Sequence, residues 1–133
     1  MAFIEWKDIY SVSINTFDNQ HKKLFDIINE LSDEMNSGKA EKNIKKIFDD
    51  LAEYTVYHFE SEEKEFKAHN YPKADEHIAI HKQFVDKVVE LKSQTNELLA
   101  TISTMNFLTD WLKNHILKTD KEYSEFLISK GVK

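Results

Sequence analysis

The sequence predicts an all-α protein built from four long helices. Its 133 residues include only two glycines and one proline, so turn signals are few and long helices with short connections are favoured. Apolar residues also recur at three- and four-residue steps along four separate segments, which is the period of one helix face. We treat residues 1–133 as a single domain, because a chain of this length typically forms one hydrophobic core.

An irregular arm is predicted ahead of the first helix, over residues 1 to about 17. Its main apolar residues are Trp6, Tyr10 and Ile14. The first helix is expected over about 18–36, with Asp18 as its N-cap and Gly38 as its C-terminal cap. The inward stripe of this helix consists of His21, Leu24, Phe25, Ile28, Leu31 and Met35.

Two further stripes lie in the middle of the chain. The second helix is expected over about 41–67 and the third over about 73–94, with a turn at 68–72 between them. Pro72 suits the start of the third helix, where its missing N–H costs nothing. The second stripe consists of Ile44, Ile47, Phe48, Leu51, Thr55, His58 and Glu62. The third stripe consists of His77, Ile80, His81, Phe84, Val88 and Leu91.

The fourth helix is expected over about 101–118, with Thr101 as its N-cap. Its stripe consists of Ile102, Met105, Leu108, Leu112 and His115. A short helical segment over 120–130 completes the chain.

Composition excludes several classes of function. The formal charge of −6 argues against a nucleic-acid partner. The absence of cysteine excludes disulfides, iron–sulfur clusters and thiolate zinc sites, so any metal is held by nitrogen and oxygen. No apolar run has the length of a signal peptide or a membrane span, and we expect a cytoplasmic protein without a membrane partner.

Seven residues that can bind a metal lie on the apolar stripes or directly beyond them. They are His21, His58, Glu62, His77, His81, His115 and Asp120. A single inward histidine is usually a hydrogen-bonded core residue, but seven inward polar groups on four helices would be costly to bury without a partner. Because a structural zinc site takes about four ligands, seven predict two metal ions.

The spacing between His115 and Asp120 does not fit a regular helix. Five residues correspond to a rotation of about 500°, which leaves the two side chains about 140° apart. We therefore expect the helix to end or to bulge between them, and π-bulges do occur at functional sites.

Other residues with similar chemistry are predicted to lie outside the site. His69 precedes the turn and is off every stripe, so we expect it at the surface. Of the acidic residues between 60 and 65, only Glu62 is on the inner face. We expect the others to favour solubility or to pair with neighbouring lysines; they are Glu60, Glu63 and Glu65.

The order and spacing of these residues resemble the hemerythrin family, in particular its bacterial single-domain members. The matching pieces are Asp18-Asn-Gln-His21-Lys, His58-x-x-x-Glu62, Tyr71-Pro72 ahead of His77-x-x-x-His81, and Trp111-Leu-Lys-Asn-His115-Ile ahead of Asp120. The arm also looks like the family's N-terminal segment. The resemblance covers nearly the whole chain, and no ligand position of the family is missing.

The resemblance implies an up-down-up-down four-helix bundle with a non-haem di-iron centre that binds O₂ reversibly. It assigns one iron to three histidines, His77, His81 and His115. It assigns the other iron to His21 and His58. Glu62 and Asp120 would each bridge the ions, together with a solvent-derived oxo or hydroxo group. The second iron would then have one open coordination position, where O₂ would bind.

The inward stripes also predict an apolar pocket for O₂ around that position. Its expected residues are Leu24, Phe25, Phe48, Leu51, Leu108 and Leu112. Such a pocket lacks a proton donor, which favours reversible release over catalysis, and Trp111 is expected to pack against another helix or the arm. Paired Glu-x-x-His motifs of di-iron carboxylate enzymes are missing. We therefore expect an oxygen carrier, store or deliverer to an oxygen-using enzyme; the alternatives are oxygen or redox sensing and a di-iron oxidase or peroxidase.

Overall fold

The structure is a computed structural model, and it describes residues 4–36, 41–92 and 102–133. Its helices are α1 (Asn15–Asn36), α2 (Glu41–Ala68), α3 (Ala74–Lys92), α4 (Ile102–Asn114) and α5 (Lys121–Ser129), with a π-helical turn, His115–Asp120, between the last two. The predicted caps Gly38 and Thr101 lie outside the described residues, as does the predicted end of the third helix near 94.

The four long helices form the predicted up-down-up-down bundle. Helix α2 packs against both α1 and α3, and α4 packs against α1. The described part of the chain contains no β-strand, which confirms the all-α prediction. None of its helices is long and apolar enough to cross a membrane.

A short turn reverses the chain between α2 and α3. Asn70 has a φ of 56°, in the left-handed region that asparagine tolerates better than most residues. The Tyr71 N–H then donates to the Phe66 carbonyl at 2.9 Å. Helix α3 begins at Ala74, so Pro72 lies in the turn rather than in the first helical residues.

The start of α1 corrects the prediction for Asp18. The helix begins at Asn15, three residues earlier than expected, so Asp18 lies in its first turn and is not its N-cap. Its carboxylate instead accepts hydrogen bonds from the Ser11 hydroxyl at 2.6 Å and the Val12 N–H at 2.8 Å. The aspartate therefore ties the end of the arm to α1.

Two hydrophobic clusters fill the bundle. The large cluster includes Leu24, Phe25, Ile28, Leu31, Phe48, Leu51, Phe59, Phe84, Val88, Leu108 and Leu112. The small cluster consists of Val12, Ile14, Phe17, Phe66, Tyr71, Tyr123 and Leu127. Along the chain, each set of predicted metal ligands comes between a residue of the large cluster and a residue of the small cluster. The seven polar groups thus form a layer with apolar packing on both sides.

Candidate metal centre

The structure brings all seven predicted ligand residues into one buried layer. None of them is more than 5% exposed. Their ligand atoms form two groups, each with all its atoms within 4.8 Å of one another. The three-histidine group consists of His77, His81 and His115 with Glu62 and Asp120. The two-histidine group consists of His21 and His58 with the same two carboxylates.

Glu62 presents one carboxylate oxygen to each group. Its Oε1 lies 3.2 Å from Nε2 of His81, in the three-histidine group. Its Oε2 lies 3.4 Å from Nε2 of His58, in the two-histidine group. The carboxylate therefore spans the two groups.

Asp120 is divided in the same way. Its Oδ1 lies 3.0 Å from Nε2 of His115 and 3.1 Å from Nε2 of His77. Its Oδ2 lies 3.1 Å from Nε2 of His21. Both carboxylates thus lie between the same two sets of imidazoles.

The π-helical turn explains how Asp120 reaches this position. It begins at His115 and ends at Asp120, and a π-helix bonds residues five apart. The wider turn brings both side chains to one face, where a regular α-helix would separate them by about 140°. The predicted break in the helix is confirmed.

The buried polar atoms fit metal ions better than they fit one another. Despite the short distances, several have no hydrogen-bond partner among the described residues: Nε2 of His21, His77, His81 and His115, Oε1 of Glu62, and both Asp120 oxygens. Unpartnered buried polar groups are costly. Two ligands about 2.1 Å from one ion, and about a right angle apart, lie about 3.0 Å from each other. The observed spacings therefore suit atoms that share a cation.

The electrostatics of the layer also favour a cation. Burial alone would raise the pKa values of Glu62 and Asp120, but the surrounding histidines hold both well below their usual range. Burial lowers the pKa of His21, but Asp120 and Glu62 outweigh it and raise that pKa from 6.5 to about 9. Without a metal, a proton on His21 therefore balances part of the carboxylate charge at neutral pH.

Two histidines are oriented by partners outside the layer. Nδ1 of His58 lies 2.5 Å from Oε1 of Gln20, and Nδ1 of His81 lies 2.9 Å from Oε2 of Glu63. Both oxygens are acceptors, so each Nδ1 carries the proton and each Nε2 lone pair is left for a metal. Glu63 was expected to favour solubility or to pair with lysine, and its contact with His81 corrects that prediction.

Tyr123 is a further partner that the sequence did not single out. It is fully buried in the small cluster, and its hydroxyl donates to Oε2 of Glu62. Burial and the Glu62 charge raise the pKa of this phenol well above 10. Tyr123 therefore stays protonated and fixes the carboxylate that spans the two groups.

A small cavity lies beside the layer, on the side of the large cluster. Its volume is about 10 Å³, near the smallest that holds a single water-sized molecule. It is lined by Leu24, Ile28, Leu51, Thr55, Phe59, Phe84, Leu108, Trp111 and Leu112. Four of the six residues expected around the pocket are present; Phe25 and Phe48 are buried in the large cluster but do not line the cavity.

Two other predicted residues lie as follows. Trp111 stacks on Phe84 of α3 with ring centroids 3.8 Å apart, and on His115 with centroids 4.3 Å apart. It therefore packs against another helix, as expected, and also covers one ring of the layer. His69 is outside the layer and pairs with Glu65 at 3.3 Å.

The fold and the layer define a four-helix bundle with an interior site suited to two metal ions. The chain belongs to the hemerythrin family: residues 12–127 match the family model described as the hemerythrin HHE cation binding domain.

Similar proteins extend over nearly the full chain. The bacteriohemerythrin of Methylococcus capsulatus is 35% identical over 130 residues, which cover 96% of this chain and 98% of that protein. The bacteriohemerythrin of Clostridium acetobutylicum is 35% identical over 125 residues, covering 89% of this chain and 96% of that protein. A crystal structure of wild-type hemerythrin has a TM-score of 0.86 at 34% identity, covering 95% of this chain and 98% of the other.

Proposed function

We propose that this chain holds a pair of iron ions and binds O₂ reversibly at them. The observation that carries the proposal is the division of the carboxylates, because Glu62 and Asp120 each offer one oxygen to each histidine group. Two groups that share both carboxylates call for two cations, and a donor set of imidazoles and carboxylates suits iron. When bound, the iron pair supplies the electrons and the open coordination position that O₂ binding needs.

The two groups would hold the ions unequally. The three-histidine group offers five protein ligands and the two-histidine group offers four. The three-histidine group would therefore satisfy more of its ion's coordination than the two-histidine group. That difference would leave room at the second group for a ligand from outside.

The surroundings favour binding over conversion. Apolar side chains of both clusters enclose the layer, so they exclude water and keep the supply of protons low. Histidines outnumber carboxylates in the site, unlike the four-glutamate sites of the di-iron carboxylate enzymes. Carriage, storage and delivery of O₂ to an oxygen-using enzyme all require that O₂ is bound without being converted. We therefore propose a binding protein rather than an enzyme.

Iron loading should also stabilise the fold. The metal-free layer buries unpartnered nitrogen and oxygen atoms, and metal binding to such a site contributes to folding free energy. The charges are favourable as well, because two Fe²⁺ ions offset two carboxylates and one hydroxide and leave a residual charge of about +1.

Two measurements test the proposal. Elemental analysis should give two iron atoms per chain, and a single atom or zinc alone would contradict the di-iron assignment. A visible absorption spectrum should then change when O₂ replaces argon over the reduced protein and return when argon is restored. Rapid oxidation that argon does not reverse would favour sensing or oxidase chemistry instead.

A further inference from the structure

Thr55 is a polar residue in the wall of the cavity. It is 2% exposed and lies on α2, three residues before His58, so the two side chains share one helix face, one turn apart. Leu24 lies three residues after His21 and also lines the cavity. The cavity is therefore one helical turn from both histidines of the two-histidine group. It is equally near His81 and His115, because Phe84 and Leu112 also line it.

The hydroxyl of Thr55 is unsatisfied. A threonine inside a helix usually donates to a backbone carbonyl three or four residues earlier. Among the described residues, Oγ1 of Thr55 has no hydrogen-bond partner. A buried hydroxyl without a partner destabilises a protein, so a cavity occupant that accepts a hydrogen bond would relieve this penalty.

The rest of the cavity wall offers few other hydrogen-bond donors to an occupant. Apart from Trp111, the other lining side chains are hydrocarbons. The indole of Trp111 is held flat between Phe84 and His115, with interplanar angles of 19° and 13°. The Thr55 hydroxyl, in contrast, can rotate about its Cβ–Oγ bond.

We propose that Thr55 determines which small molecules are retained beside the two-histidine group. Its hydroxyl donates a hydrogen bond to a small anion or diatomic molecule that has an acceptor lone pair. The cavity therefore prefers such an occupant over an apolar one of the same size. This inference rests on the proposed function, because iron in the two-histidine group anchors the occupant there.

Azide binding to the iron-loaded, oxidised protein tests the proposal, with azide as the probe anion. Thr55→Val removes the hydroxyl at nearly constant volume and should weaken azide binding about tenfold, the order expected for one hydrogen bond to a charged acceptor. Thr55→Ser keeps a hydroxyl and should restore most of the affinity. Dissociation constants come from titrations followed by visible absorption.

Thr109 provides a matched control. It is on α4, is 5% exposed, and its hydroxyl also lacks a partner, but it does not line the cavity. Thr109→Val should therefore leave the azide dissociation constant unchanged. In the metal-free protein both valine variants should raise the melting temperature by about 2–5 °C, because each removes an unsatisfied buried hydroxyl.

The outcomes distinguish a failure of this inference from a failure of the proposed function. Equal azide affinities for the wild type and Thr55→Val, or equal losses in both valine variants, would overturn the role of Thr55. A lower melting temperature for metal-free Thr55→Val would also overturn it, since the hydroxyl would then have a partner. If the iron-loaded wild type bound no azide at all, the proposed function would fail first.

Discussion

The two histidine groups use the same pair of carboxylates but differ by one ligand. Helix α3 supplies two histidines, His77 and His81, at a spacing of four residues. Helix α1 supplies His21, and the residue four positions later is Phe25. The Phe25 ring packs against Trp6 and Tyr10 of the arm, with centroids 5.5 and 5.3 Å away. In α1, the position four residues after the histidine is therefore taken by Phe25, which packs against the arm. In α3 the equivalent position holds His81, which gives the three-histidine group its additional ligand.

The outer partners of the two groups differ as well. A carboxylate, Glu63, accepts from His81, whereas a neutral amide, Gln20, accepts from His58. Nδ1 of His21 has no partner among the described residues. The three-histidine group is therefore both richer in ligands and more electron-rich, which suits a firmly held ion, while the two-histidine group is suited to exchange a ligand.

The largest effect is expected where the groups coincide. Glu62→Gln removes a charge and a ligand that both groups share, so the protein should lose both ions. Removing an outer partner of a metal ligand costs about 10–100-fold in metal affinity. Removing Glu62 should cost more than that. Elemental analysis after purification measures the iron content.

Glu60→Gln is the matched control, because Glu60 is exposed on the same helix. It should retain two ions. If Glu62→Gln kept one ion firmly bound, Glu62 would belong to a single group, and the two groups would not share both carboxylates.

A change confined to one group should have the next largest effect. His58→Ala leaves the two-histidine group with one imidazole, so O₂ binding should be lost while the ion of the three-histidine group remains. His69→Ala should leave both properties unchanged, because His69 is outside the layer. Iron content and the reversible visible spectrum distinguish the variants, and equal effects of the two would contradict the separation into groups.

The pattern within each helix could be predicted from the sequence, but contacts between helices could not. The apolar period placed the seven ligand residues on four inward stripes, and the five-residue step before Asp120 indicated the irregular turn that the structure contains. Gln20 and Glu63 meet histidines of other helices, so no period along one helix identifies them. The N-cap prediction for Asp18 was wrong, because an aspartate before an apolar stripe can either cap its own helix or bind the preceding loop. The packing of the arm, which the sequence pattern does not contain, determines which of the two occurs.

A substitution of Leu112 tests whether the apolar wall of the cavity slows oxidation of the iron. Leu112→Asn places a polar amide in the cavity wall, one helical turn before His115, where it can attract water and protons. Irreversible oxidation in air should become about tenfold faster, equivalent to lowering the barrier by roughly 1.4 kcal/mol. The decay of the visible spectrum under air gives the rate.

Ile128→Asn is the control for that change, because Ile128 is 43% exposed on α5 and does not line the cavity. The melting temperature of each variant shows whether the bundle remains folded. An unchanged oxidation rate in a folded Leu112→Asn protein would remove Leu112 from the wall of the functional pocket.

Exchanging the outer partners should change iron affinity with opposite signs in the two groups. Glu63→Gln removes the charge behind His81 and should weaken iron in the three-histidine group about tenfold. Gln20→Glu adds a charge behind His58 and should strengthen iron in the two-histidine group. Competition with a chelator measures both affinities; shifts in the same direction would show that outer charge acts on the whole layer rather than on each group.

A separate effect concerns the proton that the metal-free layer holds on His21. Because the folded-state pKa of about 9 is above the ordinary 6.5, this proton stabilises the fold fully below pH 6.5, and the stabilisation is lost as the pH rises through about 9. The melting temperature of the metal-free protein should therefore fall between pH 7 and pH 10, as thermal unfolding across that range can show.

With iron bound, Nε2 of His21 has a metal in place of the proton, so this part of the pH dependence should disappear. His21→Gln should also abolish it in the metal-free protein, whereas His69→Gln should preserve it. A metal-free melting temperature that His21→Gln leaves equally dependent on pH would place the proton elsewhere in the layer. The two-histidine group would then differ from its neighbour in ligand number and in its outer partners, and not in the proton that iron must displace.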